Sequence, residues 1–310
     1  MAAGPGARAG GARKLLLEDE ALRDGLQMES RIFTLEEKLE LFHLLARSGL
    51  RRIQVGSFVH PGIVPQMADT DELVRAIGEV EGVVLTALVL NEKGLERALA
   101  CGVRHLSMSV SASDTHSRKN AGMPAEEALE TMTGLIARAV SEGVQVRAGF
   151  QCSFGCVYEG TIEPDAVIRG TKRLAEAGAA EVNLADTAGM ATPYSVRDLV
   201  SRAARELEGV LISLHLHDTA GLGLANMFAG YEAGVRIFDV ATGGLGGCPF
   251  VKGAAGNIPA EDAVNMFQSM GVDTGVDIDV LCDAVLFLEA RLGRALPGRM
   301  RRVLKGAKRD

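Results

Sequence analysis

Two histidines separated by one residue stand at the end of a predicted strand and could bind a metal ion together. They are His215 and His217, in the run His215-Leu-His-Asp218. Residues two apart on a strand point to the same side, so both imidazoles would face the same space. A lone histidine there is more often a core residue, but a pair at a strand terminus favours metal binding.

Two oxygen-bearing residues are candidates to complete this metal site. Asp24 follows the first predicted strand, in the tripeptide Arg23-Asp-Gly25, and in a closed barrel that strand lies beside the last one. Asn257 follows the eighth predicted strand. Each has an ordinary alternative, because Asp24 could form a turn with a surface ion pair and Asn257 could simply form a turn.

Two imidazoles, a carboxylate and an amide form a mixed set of nitrogen and oxygen ligands. Such a set suits Mg²⁺, Mn²⁺ or Co²⁺ with open positions for substrate oxygens. A closed structural zinc site would use more thiolates. The sequence therefore predicts a divalent cation as cofactor.

A glycine-rich segment follows the eighth predicted strand, from Gly243 to Asn257, and contains six glycines as well as Cys248. We expect a lid loop that closes over a ligand. A phosphate-binding loop is the alternative, since barrels often bind phosphate near their last two strands. Cys248, in the middle of the segment, favours a lid that carries a reactive thiol.

The elements that position these residues are eight short apolar runs, which alternate with longer amphipathic segments. This alternation predicts an α/β fold, a (β/α)8 TIM barrel whose active site lies at the carboxyl ends of its strands. An open doubly wound sheet would have G-x-G-x-x-G after its first strand, and no such motif follows Leu17. The predicted strands are Lys14–Leu17, Arg52–Val55, Val83–Val89, His105–Val110, Gln145–Phe150, Glu181–Ala185, Leu211–His217 and Ile237–Ala241.

Local signals place the helices between these strands. Thr34 and Glu37 form a predicted capping box at the start of the first helix. Glycines 49, 102, 143 and 178 stand where left-handed caps end helices before a strand. A C-terminal helical extension is predicted from about Asp279 to Arg291. We expect residues 1–13 to form a flexible tail and residues 14–310 a single catalytic barrel domain.

Composition and charge limit the partners that we expect. The net charge is -7 and no long basic run occurs, so neither nucleic acid nor a membrane is expected as a partner. Five cysteines, an odd number, indicate reduced thiols and a cytoplasmic location. Cys152 and Cys156 could form a redox pair but are more often packing residues. His60 and His116 are expected in solvated loops.

Several motifs, in the same order along the chain, together resemble the 3-hydroxy-3-methylglutaryl-CoA lyase family, within a superfamily of metal-dependent acyl-CoA lyases and synthases. They extend from about residue 15 to residue 275. The motifs are Leu22-Arg-Asp-Gly-Leu-Gln27, Ser57-Phe-Val-His-Pro61, Val64-Pro-Gln-Met67, Cys152 to Cys156 with Tyr158-Glu-Gly160, Ala185-Asp-Thr-Ala-Gly189, His215-Leu-His-Asp-Thr219, Gly221 to Asn226, and Gly243 to Asn257.

The resemblance implies a lyase that cleaves a 3-hydroxy-3-methylglutaryl-CoA-like thioester by retro-Claisen chemistry to an acyl-CoA and a keto acid. Coenzyme A then enters as part of a small-molecule substrate, and a homo-oligomer is expected. The implied metal ligands are Asp24, His215, His217 and Asn257. Arg23 would polarise the thioester carbonyl and Cys248 would transfer a proton, so the implied catalytic residues are Arg23, Asp24, His215 and Cys248. The residues expected to contact substrate are Gln27, Gln54, Ser57, Asn183 and Asp186.

Four positions differ from the lyase pattern. Gln54 stands where lyases carry Glu, Ser30 where they carry Lys, Asp19 in place of Glu, and Asn183 in place of Ser. We therefore expect these differences to lie in the pocket and to favour a thioester with a different C3 substituent. We also expect a Glu at position 54 to raise cleavage of 3-hydroxy-3-methylglutaryl-CoA.

Two alternatives remain open at this point. The run Asp19-Glu-Ala-Leu-Arg-Asp-Gly25 resembles the isopropylmalate and homocitrate synthases, so the reaction could be a Claisen condensation of an acyl-CoA with a 2-oxo acid. The chain could also be a non-catalytic metal-binding scaffold. Cys248 and the ligand set favour cleavage.

Overall fold

Eight parallel strands close into a barrel in the computed structural model, which describes residues 15–248 and 251–306. Each strand pairs with the next along the chain, and the first pairs with the eighth. The predicted (β/α)8 barrel is therefore confirmed. The tail expected at residues 1–13 lies outside the described residues. The strands are β1 (Leu16–Asp19), β2 (Arg52–Ser57), β3 (Val84–Leu88), β4 (His105–Ser111), β5 (Gln145–Gln151), β6 (Glu181–Ala185), β7 (Leu211–His215) and β8 (Ile237–Val240).

Helices connect the strands and cover the outside of the barrel. The first begins after Thr34, whose side chain forms the predicted capping box with Glu37. The helices are α1 (Leu35–Arg47), α2 (Thr70–Ile77), α3 (Glu92–Ala100), α4 (Asp114–Ala121), α5 (Ala125–Ser141), α6 (Pro164–Glu176), α7 (Pro193–Glu206), α8 (Gly223–Glu232), α9 (Ala260–Ser269), α10 (Ile278–Leu292) and α11 (Met300–Gly306). The predicted extension corresponds to α10, which packs against α1 and α11. No helix among the described ranges is long and apolar enough to cross a membrane.

Three predicted strands, β1, β2 and β7, end two residues from their observed ends, and β1 and β7 bear on the candidate site. β1 continues to Asp19, because Glu18 faces the barrel interior and binds charged partners there rather than ending the strand. β7 ends at His215, and His217 instead forms an isolated bridge with Asn257. This bridge joins two candidate metal ligands through the backbone.

The glycine-rich segment is more regular than the loop expected from its composition. A 3₁₀ turn at Thr242–Gly244 follows β8, and then β9 (Gly247–Cys248) and β10 (Val251–Ala255) form an antiparallel pair. Gly246 has a φ of 116°, and a Cβ there would lie 2.6 Å from the side-chain Nδ2 atom of Asn257. Glycine at this position therefore lets the backbone lie directly against the candidate site.

The barrel interior contains paired charges, whereas apolar residues fill the space between strands and helices. Arg147 on β5 is 3% exposed and donates to the carboxylates of Glu18 (2.8 Å), Glu20 (2.9 Å) and Asp239 (2.5 Å). Arg52 binds both carboxylate oxygens of Glu181, at 2.8 and 3.0 Å. Buried charges are stable only when paired, so this network fixes which strands face each other across the barrel.

Replacing Arg147 with Gln should destabilise the fold strongly, because three buried carboxylates would lose their shared cation. We expect the free energy of unfolding to fall by about 3 to 5 kcal/mol in urea denaturation. Arg138→Gln, at a half-exposed guanidinium paired with Glu92, is the control and should change stability little. A loss for Arg147→Gln no greater than that of the control would contradict a structural role for the buried network.

Candidate active site

Three candidate metal ligands converge at the carboxyl end of the barrel. The ligand atoms of Asp24, His215 and His217 all lie within 4.8 Å of one another. The Nε2 atoms of the two histidines are 3.0 Å apart, as expected for side chains on the same face. The closure of β1 onto β8, next to β7, brings Asp24 to this point across almost 200 residues of sequence.

Asn257, the fourth candidate, lies against Asp24. Its Nδ2 donates to Asp24 Oδ2 at 2.7 Å and to the backbone oxygen of Leu245 at 3.1 Å. Its neighbour Gly256 accepts from the backbone nitrogen of Asp218 at 2.7 Å, which ties the end of the glycine-rich segment to the histidine strand. All four predicted ligands are therefore neighbours.

The two histidines differ in charge because their surroundings differ. Burial on its own lowers the pKa of His215, but the hydrogen bond to Asp239 and the charges of Glu20, Asp239 and Asp24 raise that pKa to about 9. Burial and the charge of His215 lower the pKa of His217 to about 3. Near neutral pH the pair therefore carries one positive charge, on His215.

Two residues outside the predicted site, Asp239 and Glu20, hold the candidate ligands from the barrel interior. Asp239 Oδ2 lies 3.1 Å from His215 Nδ1 and Asp239 Oδ1 binds Arg147. A carboxylate on the second nitrogen of a histidine fixes its orientation for a metal. Burial opposes ionisation of Asp239, but Arg147 and His215 outweigh it and hold its pKa below the ordinary value. Glu20, between Arg147 and Arg23, was missed in the same way.

These missed residues do leave a signal in the sequence. Asp239 and Arg147 are charged residues inside otherwise apolar predicted strands, and Glu20 ends the acidic run Glu18-Asp-Glu20. A charge inside a barrel strand needs a buried partner. Sequence alone does not identify that partner.

The guanidinium of Arg23 lies beside the candidate metal ligands. It donates to the side chains of Gln54, Asp24 and Glu20. Burial alone would raise the pKa of Asp24, but Arg23 and the two histidines lower it to about 2. Asp24 is therefore ionised over the whole working pH range, as a metal ligand must be.

The expected substrate-contacting residues fall into different environments. Ser57 ends β2 and its buried Oγ has no hydrogen-bond partner among the described residues. Asp186 accepts from the backbone nitrogens of Met190 and Ala191 through Oδ1, while its buried Oδ2 is likewise unpartnered. Burial raises the pKa of Asp186 to about 6.

Asn183 and Gln27 are placed less directly. Asn183 donates to Ser213 Oγ at 2.9 Å and to Asp239 Oδ2 at 3.2 Å, so it belongs to the layer beneath the histidines. Gln27 is half-buried just after the turn that carries Asp24. Contact of either residue with substrate stays a prediction.

One of the four departures from the lyase pattern, Asp19, points away from the barrel interior, contrary to expectation. Ser30 is exposed, and its position in the pocket stays a prediction. Asp19 accepts from the backbone nitrogen (2.9 Å) and hydroxyl (2.7 Å) of Thr242, on the outer side of β1, because Glu18 and Glu20 take the inward positions. Asp19 thus fixes the start of the glycine-rich segment, together with Glu261, which accepts from Gly243 N at 2.9 Å.

The remaining candidates have mixed outcomes. The side chain of Cys248 lies outside the described part of the chain, although its backbone pairs with Val251 in the β9–β10 ribbon. Cys152 and Cys156 are buried free thiols, and burial raises the pKa of Cys152 to about 12, which supports a packing role. His60 is exposed, as expected. The expectation of a solvated His116 is wrong, because this residue is 5% exposed on α4.

The site fits a divalent cation through its charge as well as its donors. In the hydrogen-bonded network that joins it to the barrel interior, five carboxylates face three guanidinium groups; the carboxylates are Glu18, Glu20, Asp24, Glu181 and Asp239, and the cations are Arg23, Arg52 and Arg147. The proton on His215, whose pKa is about 9, reduces this excess to about one charge, and a divalent cation bound by the histidines would take the place of that proton. A cation held by the four candidate ligands would therefore be favoured on both counts.

Comparisons with known proteins agree with this geometry. Residues 14–287 match the family model described as HMGL-like. The hydroxymethylglutaryl-CoA lyase of Bacillus subtilis is 36% identical over 295 residues, which cover 95% of this chain and 99% of the relative. The (R)-citramalyl-CoA lyase of Chloroflexus aurantiacus is 39% identical over 290 residues, which cover 90% and 91% of the two chains.

A solved structure extends the similarity to three dimensions. It is an HMG-CoA lyase from Acinetobacter baumannii in complex with coenzyme A and 3-methylmalate, with a TM-score of 0.90 and 34% sequence identity. The match covers 96% of this chain and 97% of that chain. The barrel, its helices and its C-terminal extension are thus shared over nearly the whole length.

Stability should depend on pH through Glu261, which accepts a hydrogen bond from the backbone nitrogen of Gly243 at the start of the glycine-rich segment. Burial raises the pKa of Glu261 to about 8, whereas the unfolded carboxyl has the ordinary value of 4.5. Its contribution to stability is therefore complete below pH 4.5 and is lost as the pH rises to about 8. Glu261→Gln keeps the neutral form, so its melting temperature relative to wild type should rise by roughly 3 °C or more between pH 5 and 8.

Calorimetry of both proteins across this range measures the difference. The exposed Glu208→Gln is the control and should give a difference that does not vary with pH. A pH-independent difference for Glu261→Gln would show that this carboxyl does not titrate with folding.

Proposed function

The chain belongs to the HMGL-like family, and we propose that it is a carbon–carbon lyase that cleaves a 3-hydroxyacyl-CoA of the 3-hydroxy-3-methylglutaryl-CoA kind. The relatives are lyases of this chemical class and are matched along most of their length. Cleavage is therefore favoured over the condensation that the run Asp19–Gly25 left open. The family resemblance inferred from the motifs is confirmed.

One observation carries the proposal: a guanidinium lies beside the candidate metal ligands at the carboxyl end of the barrel. Arg23 contacts Asp24, whose other oxygen accepts from Asn257, and Asp24 lies within ligand distance of the two histidines. A cation site alone would suit a scaffold. The added fixed donor suits a reaction in which negative charge develops on a carbonyl oxygen.

The proposed reaction is a retro-Claisen cleavage. The 3-hydroxyl group gives its proton to a carboxylate of the site, and the C2–C3 bond breaks to leave a ketone at C3. The bonding electrons pass to the thioester as an enolate, which takes up a proton at C2. Arg23 would donate two hydrogen bonds to the enolate oxygen, since a guanidinium presents paired N–H groups. Cys248 would supply the proton at C2 from the β9–β10 ribbon.

Asp24, His215, His217 and Asn257 would hold the cation, with Asp239 orienting His215. A divalent cation supplies Lewis acidity, which lowers the pKa of a substrate hydroxyl group. Mixed nitrogen and oxygen donors favour Mg²⁺ or Mn²⁺, with Co²⁺ as a further candidate. The homo-oligomer and the cytoplasmic location expected from the sequence stay predictions.

The acyl group is the part of the substrate that the relatives leave open. One relative is a hydroxymethylglutaryl-CoA lyase and another a citramalyl-CoA lyase, and these two thioesters differ in the carboxylate-bearing substituent at C3. Gln54 and Asn183 lie within the network beneath the ligands, where a neutral amide replaces a charge or a hydroxyl. We propose that both thioesters belong in the first substrate panel.

Removing the metal should abolish turnover, because the proposed hydroxyl activation depends on it. Chelation should reduce thioester cleavage to background, and added Mg²⁺ or Mn²⁺ should restore it. A His215→Ala, His217→Ala double variant should stay inactive with metal added, whereas His43→Ala, an exposed histidine on α1, should retain activity. Full activity in excess chelator would rule out the metal-dependent mechanism.

Replacing Cys248 with Ser should lower kcat while substrate binding survives. The hydroxyl of serine is a far weaker acid than a thiol, so protonation at C2 would slow, and we expect a decrease of about 10²-fold or more. Cys101→Ser, a half-buried thiol at the end of α3, is the matched control. An unchanged kcat for Cys248→Ser would show that this thiol does not take part.

A further inference from the structure

Arg23 has three side-chain partners, and they are not equivalent. Asp24 shares its carboxylate with Asn257 and with the candidate metal position. Gln54 is neutral and accepts from Arg23 Nε. Glu20 is a fully buried carboxylate that accepts from Arg23 Nη2. Glu20 is therefore the partner that would still hold Arg23 if Asp24 turned toward a cation.

Glu20 is itself held on all sides. Its Oε1 accepts from Arg147 Nη2 at 2.9 Å and from Gln54 Nε2 at 3.1 Å, which leaves Oε2 directed at Arg23. Its backbone oxygen accepts from the nitrogens of Arg23 and Gly25, both at 3.1 Å, in the π-helical turn Ala21–Gly25. Glu20 and Arg23 thus belong to one rigid turn above the charged network.

The amide of Gln54 joins the two residues in only one orientation. Its oxygen accepts from Arg23, and its nitrogen donates to Glu20 and, at 3.3 Å, to Glu18. A carboxylate at position 54 would stand against the carboxyl groups of Glu18 and Glu20 and could not donate to both, as the amide does. The expectation that Gln54→Glu raises activity therefore conflicts with the structure.

We infer that Glu20 is a positioning residue that orients Arg23 toward the substrate carbonyl, and that position 54 has to be an amide for Glu20 to do so. The inference rests on the proposed role of Arg23 in the lyase reaction. It assigns the carboxylate for this task to the turn after β1, not to β2. Exchanging the acid at position 20 with the amide at position 54 would then keep one acid and one amide around Arg23.

Three variants test this arrangement: Glu20→Gln, Gln54→Glu, and the double variant that carries both changes. We expect each single change to lower kcat by roughly 10²-fold with little change in KM, since misplacing a catalytic group by about 1 Å has this effect. The double variant restores one acid and one amide around Arg23 and should regain at least about tenfold over the weaker single variant.

Matched measurements separate positioning from folding. Activities are compared at saturating Mn²⁺, set by direct titration of each variant, because Glu20 Oε2 also lies 3.5 Å from His215 Nδ1 and its loss should weaken metal binding. Asp262→Asn removes a buried carboxylate outside this network, one that accepts from the backbone nitrogens of Arg299 and Met300, and should reduce melting temperature without reducing kcat. If Glu20→Gln does not fold, Gln54→Glu decides, because a gain in cleavage there would overturn the inference.

A structural readout keeps the inference independent of the proposed function. Crystal structures of wild type and Glu20→Gln should show the Arg23 guanidinium displaced in the variant, even if no thioester is cleaved by either protein. An unmoved guanidinium, or a double variant no better than the weaker single one, would overturn the role of Glu20. Absence of turnover in wild type would instead overturn the proposed lyase reaction.

Discussion

The candidate site depends on the ion pairs that the buried guanidinium of Arg147 makes with three carboxylates. The guanidinium binds Glu18 and Glu20 from the first strand region and Asp239 from β8, so one side chain fixes the supports of both Arg23 and His215. A buried cation of this kind is stable only while its carboxylates stay in place. The donor aimed at the substrate and the metal ligands are therefore positioned by a single network, not by separate loops.

Much of this architecture follows from local sequence patterns. Apolar runs and helix caps predicted the barrel, and the spacing of His215 and His217 predicted two imidazoles on one face. The supports were not predicted, because they join residues far apart in sequence: Arg147 pairs with Glu18 at a separation of 129 residues and with Asp239 at 92. Local periodicity says that such charges face inward, but the closed barrel decides which ones meet.

The acidic run at the end of β1 shows the same limit on a smaller scale. Alternation along Glu18-Asp-Glu20 places Glu18 and Glu20 inside and Asp19 outside, where it binds Thr242 at the start of the glycine-rich segment. The family motif predicts that Asp19 lies in the pocket, but in the structure it is Glu20 that faces the barrel interior. The position of a residue in a family motif and the direction of its side chain can therefore disagree where a strand runs directly into a turn such as Ala21–Gly25.

The reaction that we propose for this site breaks a carbon–carbon bond in an acyl-CoA. The most direct test is to incubate the Mn²⁺-loaded protein with 3-hydroxy-3-methylglutaryl-CoA and, separately, with citramalyl-CoA, and to identify the products by mass spectrometry. We predict that at least one thioester disappears with equal amounts of acetyl-CoA and a keto acid formed, acetoacetate from the first or pyruvate from the second. Intact thioesters in both reactions, or release of free coenzyme A by hydrolysis alone, would contradict the account.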